Sequence, residues 1–134
     1  MGLAEKRALN DLSTMKLPQW QRQIQEVCGF PITLEMKWDT LAAEGYTHMY
    51  GDWETVFITP IIATLRGICA DQLGKDALKE KFNKVVCQNT KDCSNGENSI
   101  SFEGSTIIFD HGFCNVDYHF KRSKAWTEAL GKVL

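Results

Sequence analysis

The chain has 134 residues, of which 43% are hydrophobic and 24% charged, with a formal net charge of −2. This length fits one domain, spanning residues 1–134, that can bury a sizeable core without cross-links. The small net charge and scattered basic residues argue against a nucleic-acid partner. No apolar run approaches the roughly 18 residues of a membrane span, so no membrane is expected.

The N-terminus, Met1-Gly2-Leu3-Ala4-Glu5-Lys6, is charged rather than apolar and does not read as a secretory signal. A cytoplasmic location is the expectation. The five cysteines, Cys28, Cys69, Cys87, Cys93 and Cys114, are odd in number, and no pair has C-x-x-C spacing. Free thiols with no intramolecular disulfide are expected. Cys28 and Cys69 fall on apolar helical stripes, whereas Cys87 and Cys93 flank one turn.

In chain order, Leu3–Leu12 reads as a short helix that Ser13-Thr14 breaks. Leu17-Pro18 opens a second helix, with Trp20, Ile24, Val27 and Cys28 as its apolar stripe and Gly29 as its cap. Ile32, Leu34, Met36 and Trp38 then alternate with polar residues, the cleanest strand pattern in the chain. Asp39 is placed to cap a helical turn over Thr40–Ala43. Thr59-Pro60 signals the start of the main core helix, carrying Ile61, Ile62, Leu65, Ile68, Cys69 and Leu73, with Gly74 stopping or kinking it. A helical piece over Asp76–Asn83 follows.

Val85–Phe120 reads as an antiparallel meander of four strands. Glu103-Gly104 suits a two-residue turn that would pair Phe102 with Ser105 and set Ile100 opposite Ile107. Cys114–Phe120 alternates as the fourth strand, placing Val116 beside Ile107. A last helix begins near Ser123, with Trp126, Ala129, Leu130 and Val133 buried. The fold class expected is α+β. The sheet would be five-stranded and mainly antiparallel, one strand from the N-terminal third followed by the meander, with helices packed on one face.

No Gly-rich phosphate loop or metal-ligand spacing occurs, and neither a cofactor nor a metal is expected. Two regions remain as candidate sites. Tyr46, His48, Tyr50, Trp53 and Phe57 concentrate aromatic side chains around Gly51, residue types that line ligand pockets and contact patches. They point to a non-enzymatic binding or regulatory module that engages a protein or small-molecule ligand through a partly exposed aromatic connection. The alternative is a small enzyme using Asp110, His111, Asp117 and His119, polar groups on or beside the sheet. It would require at least two of them to meet in a cleft. The balance of the sequence leans away from catalysis.

Overall fold

The computed structural model describes residues 2–42, 53–112 and 119–134. Among these residues four strands form one sheet: β1 (Thr33–Met36), β2 (Lys84–Gln88), β3 (Ile100–Glu103) and β4 (Thr106–Asp110). Their spatial order is β1-β2-β4-β3. β2 runs parallel to both β1 and β4, and only β3 is antiparallel to its neighbour. The fold is therefore α+β with a mixed, mostly parallel sheet, which corrects the expected five-stranded antiparallel arrangement.

The correction has a physical reason. Val85, Val86 and Cys87 are all buried in succession. Such a run suits an interior strand, paired along both edges. β2 occupies such an interior position, while β3 pairs on the far side of β4. The connection from β1 to β2 carries α3 (Trp38–Leu41), α4 (Thr59–Ile68) and α5 (Gln72–Lys81). Parallel neighbours need a long crossover of this kind.

The β3–β4 hairpin forms where expected, but its register differs. Phe102 lies opposite Ile107, Ile100 opposite Phe109, and Glu103 opposite Thr106. The turn is thus Gly104-Ser105, and Gly104 has φ +60°, which glycine adopts at least cost. The shift is by two residues, so every side chain keeps its face. Ile107 is fully buried, as the alternation requires. Val116 and Cys114 lie outside the described residues. The end of the expected fourth strand is not extended, because helix α6 runs from His119 to Val133.

The helices also depart from the sequence reading at their ends. α1 (Leu3–Asp11) does not stop at Ser13-Thr14. A π-helical segment, Leu12–Lys16, carries the helical path into α2 (Leu17–Cys28), and the Thr14 hydroxyl donates back to Asn10 O at 2.8 Å. Gly29 caps α2 in the left-handed conformation, at φ 76°. α3 begins at Trp38, so Asp39 lies inside the turn and caps nothing. α4 ends at Ile68, and the path bends before α5, whose N-cap Asp71 accepts from Gly74 N at 2.8 Å. Gly74 sits where a Cβ would collide with Ile68 O, so the bend requires glycine there. Leu73, expected in the core, is 80% exposed.

One core unites these elements. Trp20, Ile24 and Cys28 of α2, Leu34 and Met36 of β1, and Ile61 and Leu65 of α4 join Val85, Cys87, Ile107 and Phe109 of the sheet with Trp126 and Leu130 of α6. All the sheet residues in this cluster come from one face. The other face carries Glu35 between Lys37 and Lys84, at 3.3 and 3.0 Å. These pairs are well exposed and contribute little stability. At the β1 edge the Gln21 amide donates to Ile32 O and accepts from Leu34 N at 2.6 Å. One side chain thus occupies two outward backbone groups that would otherwise attract a foreign strand.

Candidate functional site

The aromatic stretch is described from Trp53 onward. Trp53 leads into a π-helical turn, Glu54–Ile58, that continues into α4. Trp53, Val56, Phe57 and Ile58 are all buried. The Trp53 and Phe57 rings stack at 5.3 Å, and Trp53 Nε1 donates to Leu41 O at 3.1 Å. This end of the stretch is therefore a core wedge rather than the partly exposed connection expected. Its apolar surface is covered and its indole N–H is satisfied. Tyr46, His48 and Tyr50 lie outside the described residues.

The polar residues of the alternative reading behave differently. Asp110 ends β4 and His111 follows it, so both sit at the carboxyl ends of the parallel strands. In open sheets with parallel strands, ligands bind in the crevice beyond those ends. Asp117 lies outside the described residues, and His119 is the first residue of α6.

Asp110 is 4% exposed, and both its oxygens are used. Oδ1 accepts from Thr90 N at 2.9 Å, while Oδ2 accepts from Gln88 Nε2 at 3.0 Å and from the Thr90 hydroxyl. Burial alone would raise its pKa. The donated hydrogen bonds from Thr90 and Gln88, with the charge of Lys91, outweigh burial and hold the carboxyl below its ordinary range. Asp110 thus fastens the start of the 89–99 loop to the end of β4. With its acceptors occupied, it is a poor general base.

His111 is fully buried. Its backbone N–H donates to Gln88 O at 3.0 Å, and its Nδ1 lies 2.7 Å from Gly112 O. A carbonyl oxygen can only accept, so Nδ1 carries the proton and Nε2 keeps a free lone pair. That Nε2 is buried and has no hydrogen-bond partner among the described residues. Burial lowers the pKa of the imidazole. The Gly112 hydrogen bond and the carboxylates of Asp110 and Asp92 oppose this, and the Arg122 guanidinium adds to it. The net direction is down, so the ring is neutral near pH 7.

The third group was not visible in the sequence. Arg122, 2% exposed, projects from the first turns of α6 and donates from Nε to Val56 O at 3.2 Å and from Nη2 to Thr55 O at 3.4 Å. It ties α6 to the turn that carries the aromatic wedge. An arginine in a charged heptapeptide such as His119–Ala125 reads as surface. Only the tertiary contact buries it. Ser99 was also passed over: it is buried, and its hydroxyl accepts from Trp126 Nε1 at 2.8 Å.

Beside these groups lies a cavity of about 530 Å³ between the loop after β2 and α6. Ser94, Asn95 and Glu97 line one side, and Lys121, Arg122 and Ala125 the other. The loop is held by Gly112 N donating to Cys93 O at 2.9 Å and by Ser99 N donating to Gly96 O at 3.3 Å. Gly96 packs so closely on α6 that a Cβ would come within 2.9 Å of Ala125 Cβ and 3.2 Å of Arg122 Cα. Glycine at position 96 is therefore needed for this close approach. Neither Trp53 nor Phe57 borders this cavity.

Among the described residues no three His, Cys, Asp or Glu side chains form a metal-binding group. No helix among them is long and apolar enough to cross a membrane; Glu54–Ile68 and Gln72–Lys81 reach that length and composition only together, as a pair bent by 118°. Of the described cysteines, Cys28, Cys69 and Cys87 are free, buried thiols. The chain matches no protein-family model, no curated protein and no solved structure.

Proposed function

We propose that this protein is a small non-enzymatic binding module whose ligand site is the polar cavity at the carboxyl ends of the parallel strands. The observation that carries the reading is that cavity, set between Ser94–Glu97 of the loop that leaves the carboxyl end of β2 and Lys121–Ala125 of α6. Its lining carries the charged side chains of Lys121, Arg122 and Glu97. Ser94 and Asn95 add neutral hydrogen-bonding groups. This lining favours a small polar molecule over an apolar one. Neutral His111 and the bound carboxylate of Asp110 support the loop from beneath rather than reacting.

A second reading, a small enzyme, draws on one observation: the His111 tautomer leaves Nε2 with a free lone pair, the state a general base requires. The burial of that atom and the occupied oxygens of Asp110 count against it.

Ligand-observed and amide NMR with a library of small carboxylates, phosphates and neutral polar compounds tests the proposal. A binder should shift the amides of residues 94–97 and 121–125, and Lys121→Ala should weaken it by about tenfold, the value of one charge-assisted hydrogen bond. Shifts confined to other parts of the chain, or equal affinity for apolar compounds, would reject it.

A further inference from the structure

β1 and β3 are the two edges of the sheet, and the described helices share a core with only one of its faces. The strand registers lay out the opposite face as a grid. Thr33, Lys84, Thr106 and Glu103 stand in one row across β1, β2, β4 and β3. Glu35, Val86, Ile108 and Ser101 form the next row. These side chains border a concavity of about 350 Å³. The face is open to solvent: Lys37 is 44%, Lys84 40% and Glu35 37% exposed along the side chain, and Glu103 is exposed as well.

Two features of this face point to a protein surface that would cover it. Val86 and Ile108 sit side by side at its centre, an apolar middle within a polar rim, which is the anatomy of an interface. Its charge is also unevenly divided. On the β1–β2 side two lysines share one carboxylate, Lys37 at 3.3 Å and Lys84 at 3.0 Å from Glu35. On β3, Glu103 makes no ion pair with any described residue. One edge therefore carries surplus positive charge and the other an unpaired negative one.

We propose that this open face docks a second copy of the chain, related by a two-fold axis that runs between the two sheets and parallel to the strands. That axis carries β1 of one copy over β3 of the other and β2 over β4, and it keeps each row over itself. Glu103 of each copy then lies over Thr33 of the other, beside Lys84, and Val86 lies over Ile108. Symmetry makes two such Glu103–Lys84 pairs. Stacked sheets stand about 10 Å apart, a gap that long side chains from both copies can span. An axis across the strands would instead lay β1 over β1 and β3 over β3, like charge over like. The area is small: strands about 4.8 Å apart, each contributing about four residues, give roughly 300–400 Å² per copy, about half of a standard interface. The dimer is therefore weak, with a Kd on the order of 100 µM.

Sedimentation equilibrium and amide NMR of the full chain at low salt, from about 20 µM to about 1 mM, test the proposal. The average mass should rise with concentration towards twice that of the monomer, and the amides of residues 84–88 and 101–108 should shift with it. Raising salt to about 0.5 M should weaken the dimer several-fold. E103K and K84E should each raise Kd by about tenfold or more, and the double variant K84E/E103K, which exchanges the two charges, should recover most of the lost affinity. Ile108→Lys should leave a chain that unfolds cooperatively but stays monomeric. Glu103 is exposed, so E103K reads the contact without disturbing the core. A chain that remains monomeric at about 1 mM, or a dimer whose Kd neither E103K nor I108K moves, overturns the docking face. A dimer that both single charge reversals weaken and the exchange fails to restore overturns the axis.

Discussion

The aromatic wedge at Trp53–Ile58 and the polar cluster at Asp110–Gly112 are both buried, and both attract attention in the sequence. They differ in what is left over. The indole and the carboxylate of the wedge are both used: Trp53 Nε1 donates to Leu41 O, and Glu54 Oε2 accepts from Trp20 Nε1 at 2.9 Å. The cluster keeps a lone pair on His111 Nε2 that no described residue uses, and Arg122, whose charge acts on that ring, also lines the cavity between the loop after β2 and α6. Residue type alone would have favoured the wedge, since tryptophan and tyrosine are the usual pocket-liners. Unsatisfied chemistry and free space favour the cluster. Function is better sought where burial leaves something unpaired than where large rings accumulate.

The sharpest way to break this contrast is to truncate the wedge. Trp53→Ala removes a fully buried ring stacked on Phe57 and should cost about 3–5 kcal/mol in urea unfolding. In whatever fraction remains folded, amide shifts on ligand addition at residues 94–97 should persist. Loss of ligand response at unchanged stability would return the site to the aromatic stretch. Ile107→Ala, at the centre of the sheet's core face, should cost roughly 2–5 kcal/mol by the same measurement. A cost below 1 kcal/mol would mean that the β2–β4 pairing is not what seats Ile107.

These outcomes bear on how much of the molecule was readable beforehand. Local chemistry was legible: Gly29 as a left-handed cap, the alternation of Leu34 and Met36, the β3–β4 hairpin and the face of Ile107. Pairing between distant segments was not. The alternating pattern of Ser99–Phe109 suggested antiparallel neighbours throughout, yet Val85-Val86-Cys87 already carried the continuous apolar run of a strand flanked on both sides. Two-residue register was lost because it changes no side chain's face, so hydrophobic pattern cannot report it. At the candidate site, Asp110 and His111 stood out as residue types. Arg122 and Ser99 did not, because their burial exists only once α6 lies across the loop after β2.

Asp110→Ala tests the polar cluster directly. It leaves Thr90 N and Gln88 Nε2 without their acceptor and should cost about 1–3 kcal/mol, less than the core truncations. The effect should be local. Hydrogen exchange should accelerate first in residues 89–99, whose anchoring to β4 runs through this carboxylate. Uniform acceleration across the sheet would instead make Asp110 part of the global core and remove its role as a loop fastener.

The smallest effect separates the two acids of the cluster by pH. The folded pKa of His111 lies below its ordinary value of 6.5, because burial and the nearby Arg122 charge disfavour the imidazolium. As pH falls through about 6.5, the unfolded chain takes up a proton at this position while the folded chain does not. The stabilisation that neutral His111 supplies is full above 6.5 and drains away as pH falls towards the folded pKa. Asp110 acts in a separate window: its folded pKa lies below the ordinary 3.8, so its contribution is full above that value and is lost only as pH falls through the lowered pKa. Unfolding free energy measured from pH 7.5 down to 5 should therefore decline, and His111→Leu, which keeps the side chain buried but cannot protonate, should flatten that decline without altering the fall below pH 4. Asp110→Asn should do the reverse. If His111→Leu leaves the slope between pH 7.5 and 5 unchanged, the imidazole is already partnered in solution, and the contrast between a satisfied wedge and an unsatisfied cluster fails at its central atom.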